Sequence, residues 1–172
     1  MNNTISIQAI VVSAAAMTLL FAAAHDVACR TIPNGASLMV AAGGLGLNLL
    51  AGEAVTAIFV SSFVSYGGWV LWRCGWMGGG DVKLLGASAL TVPPASVPVL
   101  ILNTAIAGGV LAVIYLTLSR LPAGKAGPRP PGLFGRVLRA ERHRIRRGPT
   151  LPYGCAIAAG TMTILISSVD FG

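Results

Sequence analysis

The acidic residues are the first side chains to consider for chemistry, because the chain has only five of them against 12 Lys and Arg. Three have ordinary explanations, since Glu53 and Asp170 fall at the ends of apolar runs and Glu141 lies among arginines. Asp26 and Asp81 remain, each at or just inside the end of an apolar segment. Placing a carboxylate near a membrane costs about 2–4 kcal/mol even on lenient insertion scales, so both are candidate functional residues.

The sequence around Asp81 strengthens its candidacy. It directly follows Gly78, Gly79 and Gly80, and three successive glycines at the entrance of a helix are costly in backbone entropy. Such a run makes sense where a backbone must come close to another chain, such as an extended peptide. Two structural explanations stay open for Asp81: a helix cap, or a salt bridge with Lys83.

Asp26 begins a polar stretch that runs to Asn34, which we predict to be a tight turn between two apolar segments. Its structural explanation is a salt bridge with Arg30. We expect Asp26 and Asp81 to lie on the same side of a membrane. Two facing carboxylates would share one proton, because like charges at close range cannot both ionise. One acid could then polarise a carbonyl while the other activates water, which is the chemistry of an aspartic protease.

The composition indicates which environment holds these acids. Hydrophobic residues make up 55% of the chain, charged residues only 10%, and the mean hydropathy is +0.78. A soluble domain carries about 25% charged residues, so a soluble globular protein is excluded and an integral membrane protein is predicted. The basic excess therefore indicates lipid rather than nucleic acid. Cys29, Cys74 and Cys155 are far apart without a CxxC pair, which predicts neither a disulfide framework nor a metal site.

The apolar segments predict an all-α protein with about six transmembrane helices. The first lacks the basic residues of a signal peptide, so it is predicted to be retained. Proline ends helices, and Pro93, Pro94 and Pro98 divide a long uncharged stretch into the fourth and fifth spans. The predicted spans are Ile5–Ala24, Gly35–Gly52, Ala54–Trp72, Gly78–Val92, a fifth ending at Ser119, and Gly148–Val169.

The positive-inside rule supports this count. With both termini outside, the inner loops hold Arg30, then Arg73 and Lys83, then nine basic residues from Arg120 to Arg147, which together are all 12 in the chain. The whole chain, 1–172, is predicted to be a single transmembrane domain.

The large basic loop, residues 120–150, is predicted to lie between the fifth and sixth helices. Residues 122–132 are rich in Pro and Gly and indicate a hinge. Residues 133–147 place apolar side chains on one helical arc and most arginines opposite, which is typical of an amphipathic helix on anionic headgroups. Glu141 interrupts that arc, and a solvated topological anchor is the equal alternative.

Two motifs resemble the paired signature of bacterial type IV prepilin peptidases, which are GxGD intramembrane aspartic proteases. They are Asp26-x-x-x-Arg30-x-Ile32-Pro33-Asn34 and Gly78-x-Gly80-Asp81-x-Lys83-Leu84. Pro152-Tyr153-Gly154, at the start of the last apolar segment, resembles a third and weaker motif of that family. The resemblance runs from the first predicted helix to the last.

The resemblance implies that Asp26 and Asp81 are the catalytic pair. It implies that the residues around them shape the site or let the substrate backbone approach: Gly78, Gly79, Gly80, Arg30, Pro33, Asn34 and Lys83. The implied substrate is a prepilin, cleaved on the cytoplasmic side after the glycine that precedes its hydrophobic N-terminal helix. The implied location is the bacterial inner membrane, with no cofactor and no metal.

The chain has no large insertion before Asp26 and no cysteine pair, both of which long prepilin peptidases carry for N-methylation. It is therefore similar to the short CpaA/TadV-like members of tight-adherence (Flp) pilus systems. Two other functions stay open at this point. One is a non-enzymatic scaffold or small transporter in pilus assembly, and the other is a GxGD protease acting on other membrane peptides.

Overall fold

The chain folds into helices joined by short connections. The computed structural model describes residues 2–120, 132 and 151–169, and no strand occurs in those ranges. The helices are α1 (Asn2–Cys29), α2 (Asn34–Ala51), α3 (Ala54–Arg73), α4 (Gly79–Thr91), α5 (Val97–Arg120) and α6 (Tyr153–Val169), with a 3₁₀ turn at Pro94–Ser96 before α5. The predicted all-α fold is confirmed.

Four of the described helical segments are long and apolar enough to cross a membrane: Ile7–Cys29, Asn34–Ala51, Ala54–Arg73 and Pro94–Arg120. A shorter apolar helix follows at Tyr153–Ser167. Helix α4 has 13 residues. It therefore spans about 20 Å, against a hydrocarbon core of about 30 Å. These helices support a multi-pass membrane protein, while six spans with both termini outside remain a prediction.

The end of α1 differs from the prediction. The helix continues past Ala24 to Cys29, so Asp26 lies in its last turn rather than in the connection to α2. Residues 25–29 contain neither proline nor glycine, and polar side chains do not by themselves end a helix. The helix ends where Arg30 adopts a left-handed backbone with φ 58°. The polar turn is therefore confined to residues 30–33.

The predicted break between the fourth and fifth helices is confirmed at Pro93 and Pro94. Val92, which precedes them, is extended with φ −111° and ψ 154°, as expected of a residue before proline. Pro98 does not interrupt a helix as we predicted. It is the second residue of α5, in the first turn, where a missing N–H breaks no helical hydrogen bond.

Two apolar clusters hold the helices together, and α4 belongs to both. One joins α1, α2, α4 and α6 through residues that include Leu19, Val40, Leu84 and Ile157. The other joins α3, α4, α5 and α6 through Val64, Val92, Leu100 and Ile164 among others. Short as it is, α4 is the central helix.

Polar side chains from the neighbouring helices bind the backbone of α4. Asn48 on α2 is buried, and its Nδ2 donates to the Leu90 carbonyl at 2.7 Å. Ser61 on α3 donates to the Gly86 carbonyl at 2.8 Å. The α2 and α4 backbones approach so closely that a Cβ on Gly44 would overlap the Leu90 carbonyl. Glycine is therefore required at Gly44 by the packing of the two helices.

The loop predictions lie outside the described residues. The predicted hinge at 122–132, apart from Gly132, and the predicted amphipathic helix at 133–147 belong to that part of the chain, as does Asp170.

Candidate active site

Asp26 is buried, with 6% of its surface exposed. Its carboxylate points from the last turn of α1 towards the start of α6. The N–H of Gly154, the second residue of α6, donates to Asp26 Oδ2 at 3.0 Å. The first N–H groups of a helix have no partner within the helix and form its positive end. The start of α6 therefore supplies a donor to this carboxylate.

Asp81 lies in the first turn of α4, outside the four candidate membrane spans. The pKa of Asp81 is raised from 3.8 to about 6, chiefly by burial and then by the negative charge of Asp26, while a hydrogen bond with the Gly78 backbone lowers it. The effect of Asp26 means that the two carboxylates lie within electrostatic reach of each other. The structure thus brings together the two acids that the sequence singled out.

The glycine run lets other parts of the protein pack tightly around Asp81. A Cβ on Gly78 would lie 2.8 Å from Asp81 Oδ2. A Cβ on Gly79 would lie 3.3 Å from Trp72 Nε1, and one on Gly80 would lie 3.3 Å from Ile32 Cβ. The space beside Gly80 is therefore filled by the α1–α2 connection. An approach of substrate backbone to this run stays a prediction.

The connection between α1 and α2 is fastened to α4 beside Asp81. Lys83 on α4 donates from Nζ to Asn34 Oδ1 at 3.0 Å. Pro33 precedes the first residue of α2 with an extended backbone, φ −61° and ψ 132°. The two sequence motifs that were singled out are therefore in direct contact.

Arg30 connects the end of α1 to another helix. Its N–H donates to the Asp26 carbonyl at 2.8 Å, and its guanidinium lies 5.9 Å from the centre of the Tyr115 ring on α5. An arginine at this distance over an aromatic ring is attracted to the negative face of the ring. Arg30 thus holds the Asp26 end of α1 close to α5.

The type IV leader peptidase family model matches residues 13–113, which is more than half of the 172-residue chain. The chain belongs to the type IV leader peptidase family. The match includes Asp26, Asp81 and everything between them, and it ends before α6. A comparison with curated proteins found no match, and neither did a comparison with solved structures. The CpaA/TadV-like branch of the leader peptidases remains a prediction.

Two residues at the start of α6 belong to the site although the leader peptidase match ends before them. Gly154 contributes the N–H to Asp26, and a Cβ on it would lie 2.9 Å from Asp26 Oδ2. Tyr153 is close enough to Asp81 for its charge to act on the phenol, and its ring packs against Gly108 on α5. The sequence offered only a weak motif for them, Pro152-Tyr153-Gly154.

Ile32 was missed as a site residue in the sequence. It fills the space between the two acidic helices and α6, because its side chain would contact a Cβ on Gly80 at 3.3 Å and one on Gly154 at 3.2 Å. The indication available in the sequence was that Ile32 is an apolar residue within an otherwise polar connection. Ile32 is therefore a packing residue of the site.

The described residues contain no group of three or more His, Cys, Asp or Glu side chains that could hold a metal ion. Cys29, Cys74 and Cys155 form no disulfide bond. Cys155 is half-buried, and its Sγ lies 3.6 Å from the Ala23 carbonyl oxygen.

Proposed function

We propose that this membrane protease is an aspartic endopeptidase that removes the leader peptide of type IV, Flp-type prepilins, with Asp26 and Asp81 as the catalytic pair. Membership of the type IV leader peptidase family supports the reaction class. The observation that carries the pair is that α1 and α4 present their acids at one end of the bundle, where burial and, after it, the charge of Asp26 raise the pKa of Asp81 to about 6. Coupled carboxylates of this kind share a proton.

The hydrogen bond from Gly154 indicates which of the two acids is ionised and which is protonated. Asp26 Oδ2 accepts an N–H, which fits the ionised, water-activating partner. Asp81, with its pKa of about 6, is the partner that holds the shared proton in mildly acidic solution. Asp26 takes a proton from water as the water oxygen bonds to the peptide carbon, and Asp81 gives its proton to the carbonyl oxygen. When the C–N bond breaks, the leaving amine takes the proton from Asp26, and Asp81 recovers one from the diol.

The charge pattern supports a site that faces the cytoplasm of the inner membrane. Assigning every Lys and Arg to the inner side places Arg30, Arg73 and Lys83 on the same side as the two acids, which lie on α1 and α4. We propose that the arginine-rich stretch in residues 120–147 contacts anionic headgroups.

Cleavage of a co-expressed prepilin tests the proposal. Asp26→Asn and Asp81→Asn should each abolish processing, and the double variant should be no worse, because residues that act as a unit are not additive. Glu53→Gln is the control, since Glu53 is exposed in the turn between α2 and α3 and should be silent. Substantial cleavage by either single aspartate variant, inserted at normal levels, would contradict the pair and favour the scaffold or transporter alternative.

A further inference from the structure

His25, the residue before Asp26, is hydrogen-bonded to the connection that follows its own helix. Its Nδ1 lies 2.7 Å from the carbonyl oxygen of Thr31, six residues further along the chain. A carbonyl oxygen only accepts hydrogen bonds, so Nδ1 carries the proton of this bond and the imidazole is the donor. The His25 ring also lies 5.9 Å from the Phe21 ring, centre to centre, one helical turn earlier. The imidazole therefore ties the last turn of α1 to the α1–α2 connection.

The backbone between the two bonded residues turns sharply. Arg30 has a left-handed backbone with φ 58°, a conformation that residues with a Cβ disfavour and keep only when their surroundings hold them in it. The Arg30 N–H donates to the Asp26 carbonyl at 2.8 Å, which closes the turn on one side of this residue. The bond from His25 closes it on the other side, at Thr31. The two hydrogen bonds together fix the direction in which the chain leaves α1.

The peptide group that His25 holds lies against the other two helices of the site. Its carbonyl belongs to Thr31 and its N–H to Ile32. A Cβ on Gly80 of α4 would lie 3.6 Å from the Ile32 nitrogen and 3.3 Å from Ile32 Cβ. A Cβ on Gly154 of α6 would lie 3.2 Å from Ile32 Cδ1. The connection therefore lies between α4 and α6, and the imidazole on α1 fixes its position there.

Both glycines that contact this connection adjoin an acid. Gly80 directly precedes Asp81, and the N–H of Gly154 donates to Asp26 Oδ2 at 3.0 Å. We propose that His25 is a positioning residue, whose hydrogen bond to the connection sets the placement of Asp26 relative to Asp81. This inference rests on the proposed function, in which the two acids act together on one peptide bond. His25 acts through the connection and takes no proton from the substrate or from water.

Two substitutions separate the hydrogen bond from the bulk of the ring. His25→Leu removes the donor and keeps an apolar side chain, whereas His25→Asn keeps a donor, because its Nδ2 can take the place of the imidazole Nδ1. We expect His25→Leu to lower kcat for prepilin cleavage about fivefold with KM within about twofold of wild type, and His25→Asn to recover most of that loss. The matched control is Thr18→Val, which removes a 2.8 Å side-chain hydrogen bond to the Ala14 carbonyl elsewhere on α1 and should match wild type.

Hydrogen–deuterium exchange in lipid nanodiscs gives a second readout that does not depend on cleavage. The backbone N–H groups of residues 30–32 should exchange about fivefold faster in His25→Leu than in wild type, and close to the wild-type rate in His25→Asn. Wild-type kcat and exchange in a folded His25→Leu protein would overturn the inference, as would equal losses in the Leu and Asn variants. A wild-type protein that cleaves no prepilin would refute the proposed function instead, and the exchange rates would still decide whether His25 holds the connection.

Discussion

Adding a methyl group at Gly154 tests the part of the site contributed by α6. The alanine Cβ would lie 2.9 Å from Asp26 Oδ2, 3.2 Å from Asp26 Cβ and 3.2 Å from Ile32 Cδ1. These atoms surround the new carbon from α1 and from the α1–α2 connection, so no single flexible side chain can turn away to relieve the contact. The carboxylate and the start of α6 must separate. The 3.0 Å hydrogen bond between them is expected to lengthen or break.

The magnitude follows from that hydrogen bond. A hydrogen bond to a charged group contributes about 1.5–3 kcal/mol. If its loss is expressed in the transition state, kcat for prepilin cleavage should fall about 10- to 100-fold in Gly154→Ala. KM should change little, because the contacts of Gly154 are with Asp26 and Ile32 of the protein itself.

The assay is the cleavage rate of purified prepilin by the protein in lipid nanodiscs, with the melting temperature measured on the same samples. Gly109→Ala on α5 is the matched control, since a Cβ there meets nothing within 4 Å. It should keep full activity and gain at most about 1 kcal/mol of stability, as helical Gly→Ala changes do. A Gly154→Ala protein that melts normally and cleaves at the wild-type rate would refute the reasoning that the N–H of Gly154 positions Asp26.

Three further outcomes are expected. Because the pKa of Asp81 is raised to about 6, its carboxyl group is protonated below this pH and ionised above it. Cleavage should therefore decline as the pH rises through about 6. A rate that is flat from about pH 5 to 8 would contradict the role of Asp81 as proton donor. Asn48→Ala removes the donor to the Leu90 carbonyl and should lower the free energy of unfolding by about 1–3 kcal/mol in detergent titrations, and an unchanged midpoint would show that the bond contributes little. A reporter active only outside the cytoplasm should be active when fused after Asp170 and inactive at Gly127, and activity at Gly127 would overturn the six-span topology.

Much of the helix pattern was readable from the sequence because its causes are local. The Pro93-Pro94 pair removes a donor and forces Val92 into an extended conformation, so the boundary between α4 and α5 follows from neighbouring residues. The predicted end of α1 is wrong because a polar residue such as Asp26 does not by itself end a helix. A helix tolerates a carboxylate there when another helix supplies its partner.

The partners of the acids were beyond sequence reasoning because they depend on how distant helices pack. Gly154 and Asp26 are 128 positions apart, and nothing local to either residue specifies their hydrogen bond. Ile32 likewise acquires its role only when α4 and α6 approach the same connection. The motifs around Asp26 and Asp81 predicted a pair, whereas the contacts that Gly154 and Ile32 make beside it follow only from the folded chain.

The shortness of α4 bears on how this protein is made. A 13-residue segment containing Gly, Ser, Thr and Lys is a weak candidate for independent insertion by the translocon. Its backbone partners are Asn48 and Ser61, which are synthesised before it. We expect α2 and α3 to insert first and α4 to pack against them during synthesis. The segment that carries Asp81 would then enter the bilayer after α2 and α3, so that the site is assembled in the order of translation.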